Sequence, residues 1–202
     1  MWKIISFASK EPGVYAESAN SLIRQCENFG YAHDIRIIDF NGADRKTIVL
    51  AKPGFIFSVL EESREPILWL DCDTGLNRPF RRVPSKADWD VGFVPDLARS
   101  PFFRLKRLIR PRRKVRHINS ASGFAVALQP TAAAFHYLNV WKYLCAWDDL
   151  AAGGDHVRMN WSRAMVSLRE QNIAKYLDGS LVVNQGRKKE TKVRGLRFAS
   201  ID

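Results

Sequence analysis

Pro66-Ile-Leu-Trp-Leu-Asp-Cys-Asp-Thr74 is an apolar run that stops abruptly at two aspartates separated by one small residue. Side chains alternate along a strand, so Asp71 and Asp73 are expected on one face with Cys72 pointing away. Ile67 to Leu70, uninterrupted by polar residues, reads as an interior parallel strand, and ligands in open α/β sheets gather at the carboxyl ends of such strands. Two carboxylates there offer hard oxygen donors suited to Mg²⁺ or Mn²⁺, ions that leave positions open for water or substrate phosphate. An isolated Asp-x-Asp is more often a solvated turn. The strand before it and its companions along the chain reverse that reading.

Upstream, Lys3 to Ala8 reads as a first strand, followed by a Pro12-Gly13 turn. Tyr15, Ala19, Leu22, Cys26 and Phe29 recur at helical spacing and end at Gly30. His33 to Phe40 supplies a second strand, and a helix starting at Pro53, with Phe55, Val59 and Leu60 inward, leads into the Asp-Cys-Asp strand. Strand, helix, strand, helix, strand predicts a mostly parallel α/β sheet flanked by helices. Downstream, Trp89 to Val94 and His117 to Leu128 are further strands. Pro130 opens a helix facing inward through Ala134, Leu138, Trp141 and Cys145. After Gly153-Gly154, Asp155 is placed to cap a helix with Val157, Trp161, Ala164 and Leu168 on one side. Leu181-Val-Val and Val193 to Phe198 read as short β segments.

The chain of 202 residues, 46% hydrophobic, is long enough to bury one full core and reads as a single domain over 1–202. No stretch reaches the roughly 20 apolar residues that span a bilayer, and the opening residues lack the build of a signal peptide. A cytoplasmic protein without a transmembrane segment is expected. Cys26, Cys72 and Cys145 are far apart with no Cys-x-x-Cys spacing, which points to reduced thiols rather than zinc or disulfides. The net charge of +11 is uneven. Arg99 to Arg116 holds nine basic residues and no acid, Arg187 to Arg197 contributes +5, and the rest of the chain is left at −3. Charge concentrated in this way implies a polyanionic partner, although a solvated face that only aids solubility has the same composition.

Lys52-Pro53 before a helix, Ile-Leu-Trp-Leu-Asp71-Cys-Asp73-Thr, Asn119-Ser-Ala-Ser-Gly123-Phe, and Gly154-Asp155-His156 entering a helix together resemble the nucleotide-sugar glycosyltransferases of the GT-A fold, over roughly residues 2 to 170. The resemblance implies a Rossmann-like GT-A domain. Residues 1–98 would form its nucleotide-sugar and metal half, 99–116 a basic loop or short helix, and 117–202 the acceptor half with the basic C-terminal strip. It also implies that Asp71 and Asp73 hold Mn²⁺ or Mg²⁺ against the diphosphate of a UDP-sugar, and that Ser6, Phe7, Ala8 and Ser9 border the nucleotide. Lys52, at a helix start, would add a phosphate contact or be a surface lysine. Asp155 would be the general base toward an acceptor hydroxyl, or an N-cap worth about 1 kcal/mol. Asn119, Ser120, Ser122, Gly123 and His156 would line the acceptor side. The chain departs from the family in having His156 where a glutamine is usual, and no histidine after it. The third metal position is then left to water, donor oxygens or Asn184.

The basic strip, with Arg112, Arg113 and Lys114, stands between the two halves. Its charge suits DNA, bound through phosphates, and Phe102 and Phe103 suit stacking on an exposed base. A hydroxymethylated pyrimidine would offer the acceptor hydroxyl, as for a virus-encoded enzyme in host cytoplasm. A lipid-linked glycan at an anionic membrane is the competing acceptor, with Phe-Phe-Arg-Leu-Lys-Arg-Leu-Ile lying peripherally at the interface. A phosphatase of the haloacid dehalogenase type fails on spacing, since Gly75 stands where Thr or Val is needed. A non-catalytic nucleic-acid-binding module leaves Asp71 and Asp73 without a purpose, and no phosphate loop or dinucleotide fingerprint is present.

Overall fold

The computed structural model describes residues 2–11, 13–80, 88–95, 121–147, 155–177, 179–183 and 194–195. The chain begins with strand β1 (Lys3–Ser9), helix α1 (Gly13–Asn28) and strand β2 (His33–Ile38). The helical spacing of Ala19, Leu22 and Cys26 holds, and all three are buried. The turn out of α1 uses Gly30 at φ +69, a left-handed conformation that glycine adopts without a Cβ clash.

Two helices rather than one precede the Asp-Cys-Asp segment. Helix α2 (Arg45–Leu50) is capped by Asp44, whose side chain accepts from the Thr47 N–H. Helix α3 (Lys52–Ser63) follows at once, with Pro53 in its first turn, where the missing N–H costs nothing. Val59 and Leu60 face inward as expected, but Ile56 is the third buried apolar residue and Phe55 is only partly covered.

Strand β3 (Ile67–Leu70), β5 (Val91–Pro95), β6 (Ala121–Leu128) and β7 (Glu170–Asn172) complete a six-stranded sheet in the order β2-β1-β3-β6-β5-β7. β1 lies parallel to β2 and β3, and β5 is parallel to β7. β6 runs antiparallel to both of its neighbours. Parallel pairing thus predominates, as the βαβ reading requires, with one reversed strand at the centre. A second sheet joins β4 (Thr74–Leu76), β8 (Leu181–Val183) and β9 (Arg194–Gly195). The two C-terminal β segments were legible in the chain. Their partner β4, directly after Asp73, was not.

Ile5, Phe7, Ile67, Trp69, Val126 and Leu128 face one side of the main sheet, where they pack against α3 and α4 (Ala132–Ala146). Ile4, Leu68, Leu70, Ala125 and Ala127 face the other side with Leu22 and Cys26 of α1. In α4 the expected inward residues Ala134, Leu138, Trp141 and Cys145 are all buried. Helix α5 (Asp155–Met165) corrects its expectation, because Asp155, Arg158, Met159 and Ser162 are buried while Trp161 is 46% exposed and Ala164 faces solvent. Its inner face covers charged groups, so apolar periodicity selected the wrong side. Among the described residues no helix is long and apolar enough to cross a membrane. Most of the two basic strips, including Arg112, Arg113 and Lys114, lies outside the described residues.

Candidate active site

The site begins where β3 stops. The Asp71 N–H still donates to the Phe124 carbonyl of β6 at 2.9 Å, making it the last rung of the ladder. The Thr74 N–H then donates to the Asp71 carbonyl at 2.8 Å, so Asp71 to Thr74 is a turn. Strand alternation therefore does not govern Asp73, which corrects the argument that placed the pair on one face. The turn nevertheless keeps the carboxylates within electrostatic reach. Burial, reinforced by the negative charge of Asp71, pushes the Asp73 carboxyl up to about 6. Burial, together with the charges of Asp73 and Asp71, raises the Cys72 thiol to about 12, so it stays protonated at neutral pH and is poorly suited to attack.

Lys52 is the residue that assembles the site. Its side chain is buried at the start of α3, with Nζ 2.8 Å from Asp71 Oδ1 and 2.7 Å from Asp155 Oδ2. Nζ also lies 3.4 Å from the Gly123 carbonyl and 5.3 Å from the centre of the Trp69 ring. Burial disfavours the ammonium charge, but the carboxylates of Asp71 and Asp155 outweigh it and raise the lysine pKa. The ammonium thus spans three chain segments that are distant in sequence. It is neither the exposed lysine nor the outward phosphate hook that a helix start suggested. Trp69 adds a donor, its Nε1–H reaching Asp71 Oδ1 at 2.9 Å. With Oδ1 accepting from both Lys52 and Trp69, Oδ2 is the oxygen of Asp71 left for a ligand.

Asp155 enters from α5, whose first turn rests on β6 at Gly123. A Cβ on Gly123 would stand 3.5 Å from His156 Cβ and 3.7 Å from Asp155 Oδ2, ordinary contact distances, so the helix lies directly against the strand here and a methyl group would still fit. The His156 side chain is exposed above this contact. Strand alternation puts Ser122 on the opposite face of β6 from Gly123. In β1, Phe7 packs among Phe40, Phe55 and Trp69 on the Lys52 side. Ser9 shares that side by parity, and its hydroxyl donates to the Glu11 carbonyl at 2.5 Å. Ser6 and Ala8 are buried on the α1 side. Asn119, Ser120 and Asn184 lie outside the described residues.

Asp71, Asp73 and Asp155 share this cluster with the Lys52 ammonium, and Arg45 also acts on Asp73. The cluster's chemistry fits a hard divalent ion on Asp71 Oδ2 and Asp73, because a cation would offset the burial, and with it the repulsion from Asp71, that raise Asp73. Among the described residues no third His, Cys, Asp or Glu joins the pair. Remaining positions would fall to donor oxygens and water. Sequence reasoning missed the polar role of Trp69, disguised inside an apolar strand. It also missed Asn160, whose side chain joins α5 to the Ala121 backbone of β6 and whose short amide in mid-helix, a weak helix former, was the available signal.

No family model matches the sequence, and no curated protein matches it. Solved structures match by fold. A glycosyltransferase involved in the glycosylation of the major capsid of PBCV-1 covers 92% of this chain with 93% of its own, at 12% identity and a TM-score of 0.64. The galactosyltransferase LgtC, in complex with donor and acceptor sugar analogs, aligns with 84% of this chain over 72% of its own at 10% identity and a TM-score of 0.47. With the order of its strands and the near-complete mutual coverage with the first of these structures, this chain has the single-domain α/β fold of a glycosyltransferase.

Proposed function

We propose that the protein is a metal-dependent glycosyltransferase that takes its sugar from a nucleotide-sugar, with UDP as the nucleotide. The observation that carries this reading is the convergence of Asp71 and Asp155 on one buried ammonium at the carboxyl end of β3, with Asp73 within electrostatic reach of Asp71, in a glycosyltransferase fold. Asp71 and Asp73 would hold Mn²⁺ or Mg²⁺, which when bound neutralises charge on the departing nucleoside diphosphate. Lys52 bridges Asp71 and Asp155 and holds them at fixed spacing. Trp69 orients Asp71 so that Oδ2 faces outward. Asp155, its Oδ2 already paired with Lys52, retains Oδ1 to accept the proton of the acceptor hydroxyl as that oxygen attacks the anomeric carbon. Phe7 and Ser9, on the same face of the sheet, are the members of the first-strand group best situated to border the nucleotide.

The acceptor is proposed from charge. A chain of +11 whose basic residues cluster in two strips suits a polyanion, and hydroxymethylated DNA supplies both phosphates and a primary hydroxyl. The test is a panel of labelled nucleotide-sugars with Mn²⁺ offered to hydroxymethylated DNA, lipid-linked glycans and glycoprotein. Transfer that disappears in Asp71→Asn and Asp73→Asn supports the enzyme reading, and full activity in both variants refutes it. If DNA is the acceptor, replacing Arg112, Arg113 and Lys114 by Ala weakens binding and flattens its salt dependence. An unchanged salt slope moves the acceptor to the lipid-linked glycan.

A further inference from the structure

α5 must present Asp155 to Lys52 from a helix that begins at that same residue, and the first turn of a helix is its least constrained part. The structure supplies a clamp one and a half turns further on. Asn160 Oδ1 accepts from the Ala121 N–H at 2.8 Å, and Nδ2 donates to the Ala121 carbonyl at 3.0 Å. The same Nδ2 donates to the His156 carbonyl at 2.7 Å. One carboxamide thus pairs with both backbone groups of a single residue, as a neighbouring strand would, and also fastens the carbonyl next to Asp155. Ala121 is the first residue of β6, and the residue opposite it in the ladder is Pro95, which has no N–H to offer. Pro95 thus cannot donate to the Ala121 carbonyl, and Asn160 Nδ2 does. Two residues further along β6, Lys52 Nζ reaches the Gly123 carbonyl. Residues 121 to 123 are thereby tied at one end to the middle of α5 and at the other to the ammonium that Asp155 contacts.

We propose that Asn160 is a positioning residue for the transfer step, setting the distance between Asp155 and the Lys52–Asp71 pair through Ala121. The proposal rests on the glycosyl-transfer reading for its kinetic consequence, but its geometric content is independent of that reading. An error of about 1 Å in such a constellation lowers turnover by about 100-fold. Asn160→Ala removes the whole clamp. Asn160→Asp keeps the acceptor for the Ala121 N–H, loses both donated bonds, and guards against a variant that fails to fold.

The expected result is a kcat reduced at least tenfold in both variants, with KM for the nucleotide-sugar within twofold of wild type and the near-UV circular dichroism retained. A double-mutant cycle in urea between Asn160→Ala and Asp155→Asn gives the second readout. If Asn160 acts through Asp155, the two substitutions are non-additive, the double variant losing less than the two single losses together. Additivity in the cycle, or a folded Asn160→Ala protein with wild-type kcat, overturns the proposal. A wild-type protein that turns over no nucleotide-sugar refutes the functional reading instead, and the cycle still decides the role of Asn160.

Discussion

Replacing Asp73 by asparagine should make the metal-free protein more stable at neutral pH, although it removes a residue proposed to bind the metal. The Asp73 carboxyl is raised from 3.8 to about 6, by burial first and by the charge of Asp71 second. A rise of about two pH units is equivalent to about 3 kcal/mol of penalty on the ionised folded state. Asp73 is only partly buried, so solvent screening reduces this to about 1–2 kcal/mol. Below the unfolded value of 3.8 the group is protonated in both states and contributes no difference. As pH rises from 3.8 through about 6 the folded state must release a proton it holds more tightly than the unfolded chain, and stability falls. Above about 6 the whole penalty is present. The asparagine side chain carries no charge at any pH, so the advantage of Asp73→Asn should appear across that window and be complete at neutral pH. Urea and thermal unfolding in chelator at pH 7 and at pH 3.5 measure it, with a rise in Tm of about 3–6 °C at the higher pH for a chain of this size. Adding Mn²⁺ should reverse the order, since only the wild type gains the linkage stabilisation, about 2.7 kcal/mol at 100 times Kd. A variant less stable than wild type at pH 7 without metal, or equally stabilised at both pH values, would refute the electrostatic account.

Lys52→Met leaves Asp71 and Asp155 without their shared cation and should cost about 3 kcal/mol in urea unfolding. Because the folded lysine pKa is raised, that contribution is complete below the unfolded value of about 10.4 and is lost only as pH rises through the folded value, so the deficit should be level from pH 7 to 10. A deficit that varies within that range would contradict the assignment. Trp69→Phe keeps an aromatic ring but deletes the donor to Asp71; it should cost about 1–2 kcal/mol and weaken Mn²⁺ binding several-fold, as isothermal titration would show. Asp90, buried under β5, accepts from Thr131 and Arg169, and the Arg169 contact chiefly holds its carboxyl down to about 2. Its stabilisation is present above 3.8 and lost as pH falls through about 2. Since Arg169 is 61% exposed, Asp90→Asn should cost about 1 kcal/mol at pH 7, a deficit that acid titration should abolish.

Local chain physics determined much of this protein directly. Apolar runs ending at polar residues marked β1, β2 and β3; spacings of three and four marked α1 and α4; and an abrupt pair of acids marked the site at the end of β3. These signals survive because each arises within about fifteen residues, where periodicity and turn chemistry act without help from the rest of the chain. Direction and partnership required the tertiary structure. Nothing in the apolar run of β6 states that it reverses against β3, and nothing around Thr74 announces a strand that pairs with residues more than a hundred positions away. The same limit hid the inner face of α5. An apolar count chose Trp161 and Ala164, whereas the helix buries Asp155, Arg158 and Ser162 beside Met159, so polar side chains share its inner face with a core residue. Lys52 shows the division most clearly. By itself it is a basic residue before a proline, and only folding brings β3, β6 and α5 around its ammonium, where low polarisability makes one cation between two carboxylates the group that organises the site.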